Sequence, residues 1–194
     1  MSVTESTVRS PVLVVGGTGM LAGVVGALVE EGLTTVVVSR RPPGPAAFGR
    51  HGAAGGLLVP VSGDYTEPVR FTEVLRDAAA RTGPFGQAVL WVHAEGRPHA
   101  YAAVADTLAD DALVVEVLGS RAAAPTAPAP RPPEALSRTR HRGVVLGFTG
   151  HGPNTRWLDH GEISAGVLAA LRAPKDRGLH VIGRVRPWED RPWP

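Results

Sequence analysis

The 194-residue chain contains no cysteine and only one lysine, Lys175. Without cysteine there can be no disulfide, thiolate nucleophile or cysteine-ligated zinc, and the redox compartment is left unmarked. Nearly every positive side chain is therefore an arginine. These arginines are scattered, not gathered into a basic stripe interleaved with aromatics, and the formal net charge is only +2. That pattern argues against a nucleic-acid partner. Residues 1–11 have no apolar core behind a basic start, so no export signal is read and a cytoplasmic protein with a flexible N-terminus is expected. The longest uncharged run, 12–29, approaches the length of the shortest membrane spans. Glycines interrupt it, and a strand–turn–helix accounts for them, so no membrane association is expected.

What is present is an alternation of two periodicities. β-branched runs at about 12–16, 34–39, 57–61, 87–92, 113–118, 143–148 and 179–185 predict seven strands. Helical spacing predicts helices between them. Leu21, Val24, Val25, Leu28 and Val29 form one apolar face ahead of Gly32. A second helix is predicted over about 67–81, with Val69, Val74, Leu75 and Ala78 or Ala79 inward, and a weaker third over about 98–109. A last helix starts at Asp159, where Asp159-His-Gly-Glu162 has the form of a capping box and Ile163, Val167, Leu168 and Leu171 are inward. Together these imply an α/β fold, a single domain with a doubly wound parallel sheet of the Rossmann type. Residues 42–56 read as a loop. Five prolines fall in Ala122–Pro133, so 121–142 is expected to be a surface excursion or a lid. The tail 186–194 reads as irregular.

The first strand ends in Gly17-Thr18-Gly19-Met20-Leu21-Ala22, which fits the dinucleotide fingerprint G-x-G-x-x-G/A. Gly17 is expected to permit the tight turn, Gly19 to let a pyrophosphate approach the backbone, and Ala22 to let helix pack on strand. The turn as a whole, Gly16 to Leu21, is the candidate phosphate-binding element, helped by free amides and the dipole of the following helix. The plain alternative is a βα turn that is merely rich in glycine.

The seven strands, the opening Gly-Gly-Thr-Gly-Met-Leu and the strand-three ending Gly63-Asp64 resemble the short-chain dehydrogenase/reductase family. Trp91-Val-His93, Arg156-Trp157 with the following Glu-Ile-Ser164, and Pro187-Trp188-Glu189 resemble short bacterial proteins grouped with that family. The resemblance implies a nicotinamide dinucleotide cofactor, with Asp64 and neighbouring Tyr65 at the adenine and His93-Ala94 flanking the adenine ribose. Ser39, Arg40 and Arg41 end strand two, where an acidic residue would accept from a ribose 2′-hydroxyl. Arginines there suit a 2′-phosphate instead, so NADP(H) is the expected cofactor. The alternative is that both arginines simply begin a solvated loop. Ser120 stands where the family has its catalytic serine, and a homo-oligomer is the habit the resemblance brings.

The family's Tyr-x-x-x-Lys is missing. Tyr65 and Tyr101, the two tyrosines, are followed four residues later by Val69 and Ala105. A tyrosine with its ordinary pKa near ~10 is a poor base at neutral pH. An iminium substrate already carries the proton that a ketone must acquire. The sequence therefore points to an NADPH-dependent reductase of a small organic molecule, acting on a C=N or activated C=C bond. His93, Ser120 and Tyr101 are the catalytic candidates, with His99, Glu95, Thr149 and His151 also at or near strand ends. No metal site is expected, since His93 and His99 lack a convincing third ligand. Two alternatives stay open: a redox-silent NADP(H)-binding sensor, and a non-redox isomerase, dehydratase or cyclase on the same scaffold.

Overall fold

Val12–Val15 form the central strand β1, and all four residues are buried. β2 (Thr34–Ser39) and β3 (Leu57–Ser62) lie on one side of it. On the other side follow β4 (Phe85–Leu90), β5 (Leu108–Leu118), β6 (Arg140–Leu146) and, at the edge, β9 (Leu179–Ile182). The short strands β7 (Phe148–Thr149) and β8 (Arg156–Trp157) pair separately as an antiparallel ribbon. The main sheet has seven strands in the order β3-β2-β1-β4-β5-β6-β9, every pair parallel. This is the doubly wound order with its reversal beside β1, where dinucleotides bind in such sheets.

This computed structural model describes residues 9–42, 44, 55–174 and 178–192. Parts of the N-terminus, of the 42–56 loop and of the tail lie outside the described residues, as does Lys175. Among the described residues the α-helices are α1 (Ala22–Glu30), α2 (Pro68–Thr82), α3 (Arg97–Ala105) and α4 (His160–Arg172). One apolar cluster joins one face of the sheet to Leu21, Val24, Val25 and Leu28 on and before α1, and to Ile163, Val167 and Leu171 on α4. A second joins the opposite face to Phe71, Leu75 and Ala78 on α2 and to Ala100, Tyr101 and Val104 on α3. The uncharged run 12–29 is thus divided among a strand, a turn and most of a nine-residue helix. Among the described residues no helix is long and apolar enough to cross a membrane.

The capping box at α4 is formed in full: Asp159 accepts from the Glu162 amide at 2.8 Å, and Glu162 accepts from the Asp159 amide at 2.9 Å. The other end of α4 is closed by Arg142, which is buried and donates to the carbonyls of Ala170, Ala173 and Pro174. Those carbonyls have no partner within the helix, so a buried guanidinium there is well satisfied.

Several boundaries differ from the periodicity. Val69 is 74% exposed rather than inward. α2 starts at Pro68, and its buried row is Phe71, Leu75 and Ala78, at spacings of four and three, which turns Val69 outward. β5 begins at Leu108, β6 begins at Arg140, and α3 ends at Ala105. β9 stops at Ile182 because Gly183 turns the chain at φ +74°. The 121–142 stretch holds only short 3-10 turns at Ser120–Ala123 and Glu134–Leu136 before β6 begins. Residues 121–139 are exposed or half-buried except Leu136, which is fully buried in the cluster that contains α3 and anchors the crossover.

Candidate functional site

The glycine turn leaves β1 with Gly16 at φ +83°. A Cβ on Gly16 would lie 2.9 Å from the Trp91 carbonyl oxygen, so both its conformation and its packing require glycine. The sharp turn therefore rests on Gly16, whereas the motif alone assigns it to Gly17. Gly17 serves close packing: its Cβ would meet Val37 at 2.9 Å and Val14 at 3.0 Å. Around Gly19 nothing lies within 4 Å of a Cβ position. Leu21 is buried in the core and precedes α1, which has no side-chain cap. The Ala22 amide turns back to the Gly19 carbonyl at 3.0 Å, so the Gly23 and Val24 amides are the ones left for solvent or a ligand.

This turn borders a cleft of about 550 Å³ at the C-terminal ends of β1, β2, β3 and β4. The cleft brings together Gly16, Thr18, Ser39, Arg40, Arg41, Asp64, Tyr65 and His93, and adds Trp91. Arg40 and Arg41 are exposed, and neither makes a hydrogen bond or ion pair with a described residue. Ser39 places a buried hydroxyl with no partner among the described residues at the same strand end. Asp64 accepts from the Thr66 amide at 2.9 Å and from its hydroxyl at 2.8 Å. Those bonds, and the nearby charge of Arg40, hold its carboxyl below the usual carboxylate range. Tyr65 meets Phe71 edge to face at 6.4 Å, and its ring fills the space a side chain on Gly96 would need. His93 is exposed, 5.5 Å from the Trp91 ring, and Ala94 opens the short turn behind it.

The remaining candidates lie elsewhere. Met20 and Ser120 line a smaller pocket of about 240 Å³ with Leu146, Trp157, Leu158 and Ile163, where Ser120 supplies the one side-chain hydroxyl. The glycine turn separates the two spaces, Gly16 and Thr18 facing one and Met20 the other. Tyr101 does not reach either. It is 2% exposed and donates to Glu116 Oε1 at 2.7 Å. Burial, with the Glu116 charge beside it, pushes the phenol well above its ordinary value, so it stays protonated in the core. Glu95, His99 and His151 are exposed and line neither space. Arg156 is engaged by Glu162 through two hydrogen bonds of 2.8 and 3.0 Å, and Trp157 packs edge to face on Phe148.

Two participants have no role in the sequence reading. Trp91 backs both Gly16 and His93. Ser164 on α4 donates to the Met20 carbonyl at 2.8 Å. Both fall in stretches that carry the family resemblance, but neither residue type announces its partner across the fold.

No protein-family model matches the chain, and no curated protein does. Solved structures do. A 3-oxoacyl-[acyl-carrier protein] reductase from Brucella melitensis aligns over 93% of this chain and 98% of its own, with a TM-score of 0.67 at 13% identity. A short-chain type dehydrogenase/reductase from Mycobacterium marinum gives 0.67 at 15% identity over 92% and 95% of the two chains. An NADH-dependent reductase complexed with NAD gives 0.66 at 14% identity over 91% and 96%. The chain therefore has the fold of short-chain dehydrogenase/reductases over nearly its whole length.

Proposed function

We propose that the chain is an NADPH-dependent reductase of a small organic molecule, an atypical relative of the short-chain dehydrogenase/reductases. The observation that carries this reading is the end of β2. There Arg40 and Arg41, neither with a hydrogen bond or ion pair to a described residue, and a buried Ser39 hydroxyl with no described partner face the cleft beside a helix with no side-chain cap. Orphaned donors of this kind suit a phosphate on the adenosine ribose, and the open space at Gly19 suits a pyrophosphate. The residues present thus fit a nicotinamide dinucleotide, and one structural neighbour is described as an NADH-dependent reductase complexed with NAD.

Gly16, Thr18 and Gly19 would hold the pyrophosphate, and Ser39, Arg40 and Arg41 the 2′-phosphate. Asp64 and Tyr65 would bound the adenine, with His93 and Ala94 at the ribose. When bound, the reduced nicotinamide supplies two electrons and a hydrogen to the substrate. The smaller pocket would receive the reacting end, with Met20, Leu146 and Ile163 excluding water and the Ser120 hydroxyl polarising the acceptor atom. No lysine-activated tyrosine serves this site, and Tyr101 is committed to Glu116. An iminium ion, which already carries its proton, fits such a pocket better than an alcohol, and so does an activated C=C bond whose anion, formed on hydride addition, takes its proton from solvent.

The test is a titration with NADPH and NADH, followed by NADPH consumption across cyclic imines and enones. Tighter binding of NADPH and turnover of members of that panel are expected. Steady NADP+-dependent oxidation of simple alcohols contradicts the chemistry, and absence of NADPH binding contradicts the whole reading.

A further inference from the structure

The crossover from β5 to β6 leaves another hollow, of about 290 Å³, between the proline-rich stretch and the outer strands β6 and β9. Between these strands the chain forms only short 3-10 turns and coil, so no α-helix fills the space. Gly143 on β6 adds no side chain to it, and a Cβ there would come within 2.9 Å of Leu179. Pro130, Pro132, Leu136 and Leu179 supply apolar walls.

Set into this apolar surround is a polar group of unusual construction. The His141 side chain, only 8% exposed, lines the hollow and meets Glu116 Oε2 through Nε2 at 3.0 Å. Glu116 is 5% exposed at its side chain, and its other oxygen takes the Tyr101 hydroxyl. A carboxylate that accepts at both oxygens assigns the shared proton to Nε2. Nδ1 is then left with no partner among the described residues. At the rim stands Arg131, exposed and without a hydrogen bond or ion pair to a described residue. None of these residues lines the dinucleotide cleft or the pocket of Ser120.

We infer that this hollow is a binding site for a small organic anion, a compact apolar body bearing one carboxylate. The apolar part lies against the prolines, Leu136 and Leu179, and the carboxylate sits between the Arg131 guanidinium and His141 Nδ1. The imidazole then donates at both nitrogens, to Glu116 and to the ligand, so each carboxylate faces a cationic donor. The volume sets the size, near the lower end of the ~300–1,000 Å³ range of small-molecule sites.

Benzoate is the probe, and benzamide, of the same shape without the charge, is the control. Histidine ring signals are followed by NMR during titration, with calorimetry for affinity. Benzoate is expected to shift one ring saturably, a signal lost in His141→Gln. Benzamide should bind at least about tenfold more weakly, and Arg131→Ala should weaken benzoate about tenfold, as for one charge-assisted hydrogen bond. Arg131 is exposed, so this variant leaves the core intact, and NADPH titration should not change in it. Lack of saturation, equal binding of benzamide, or unchanged affinity in Arg131→Ala overturns the inference. A shift confined to His93 also overturns it, because the anion would then occupy the dinucleotide cleft.

Discussion

The Ser164 hydroxyl, near the start of α4, donates to the carbonyl of Met20 in the glycine turn at 2.8 Å, across 144 residues of chain. At the same crossing, a Cβ on Gly23 would come within 2.9 Å of both Ser164 Cβ and Oγ. The turn is thus clamped by a helix that contributes nothing else to the larger cleft. Ser164→Ala should lower stability by about 1 kcal/mol, the net worth of one hydrogen bond. It should also weaken NADPH binding by several-fold, read by calorimetry. Gly23→Ala should cost about 1–3 kcal/mol through overpacking. Combined with Ser164→Gly, which removes the clashing side chain and its hydrogen bond together, the double variant should lose less in thermal unfolding than the sum of the two single losses.

Arg40→Asp tests the phosphate assignment. NADPH affinity should fall roughly ten- to a hundredfold, the loss of one or more charge-assisted bonds. NADH affinity should hold or rise, because the new carboxylate accepts from a 2′-hydroxyl. Equal losses for both cofactors, measured side by side, would assign Arg40 to the cleft's general charge instead.

Glu162 makes acid stability legible. Hydrogen bonds from Arg156 and then from the Asp159 amide lower its pKa from 4.5 to about 2. A folded-state value below the unfolded one means that the contribution is present above pH 4.5 and drains away as pH falls toward 2. Denaturation midpoints of the native chain and of Glu162→Gln should therefore differ near neutrality and converge through that window.

Tyr101→Phe separates a structural phenol from a catalytic one. Removing the hydroxyl leaves a Glu116 oxygen without its donor in the core, and should destabilise the fold by about 1–3 kcal/mol. NADPH affinity and any turnover per folded molecule should be unchanged. The raised phenol also has a signature in alkali. With the folded value above the unfolded 10.0, stability falls as pH rises past 10, because only the unfolded chain ionises this group. One of the two tyrosines should accordingly fail to give a tyrosinate band before alkaline unfolding.

How far the sequence carries the reader depends on the range of the information. Val12–Val15, the face Leu21 to Val29 and the Asp159–Glu162 box are written in neighbours a few residues apart, and each forms as its pattern predicts. The cleft residues Ser39, Arg40, Asp64 and His93 are legible because strand ends in a doubly wound sheet converge. Tyr101 is not, since the face of α3 it occupies becomes visible only once Glu116 of β5 lies beneath it. Nor is Ser164, which reads as one more small polar residue in a helix. Val69 misleads for a local reason: a first-turn position satisfies the period yet precedes the row that packs.

The prolines of the β5–β6 crossover bear on a different quantity, the freedom of the unfolded chain. A helix there would hold its path by its own backbone bonds. This coil has few such bonds, yet it seats Leu136 in the core. Each compatible proline narrows the conformations available before folding and stabilises the native path by about 0.4–1 kcal/mol. Ala122–Pro133 holds five of them. The segment is in this sense pre-tensioned, and replacing its prolines by alanine would loosen the crossover without removing a single native hydrogen bond.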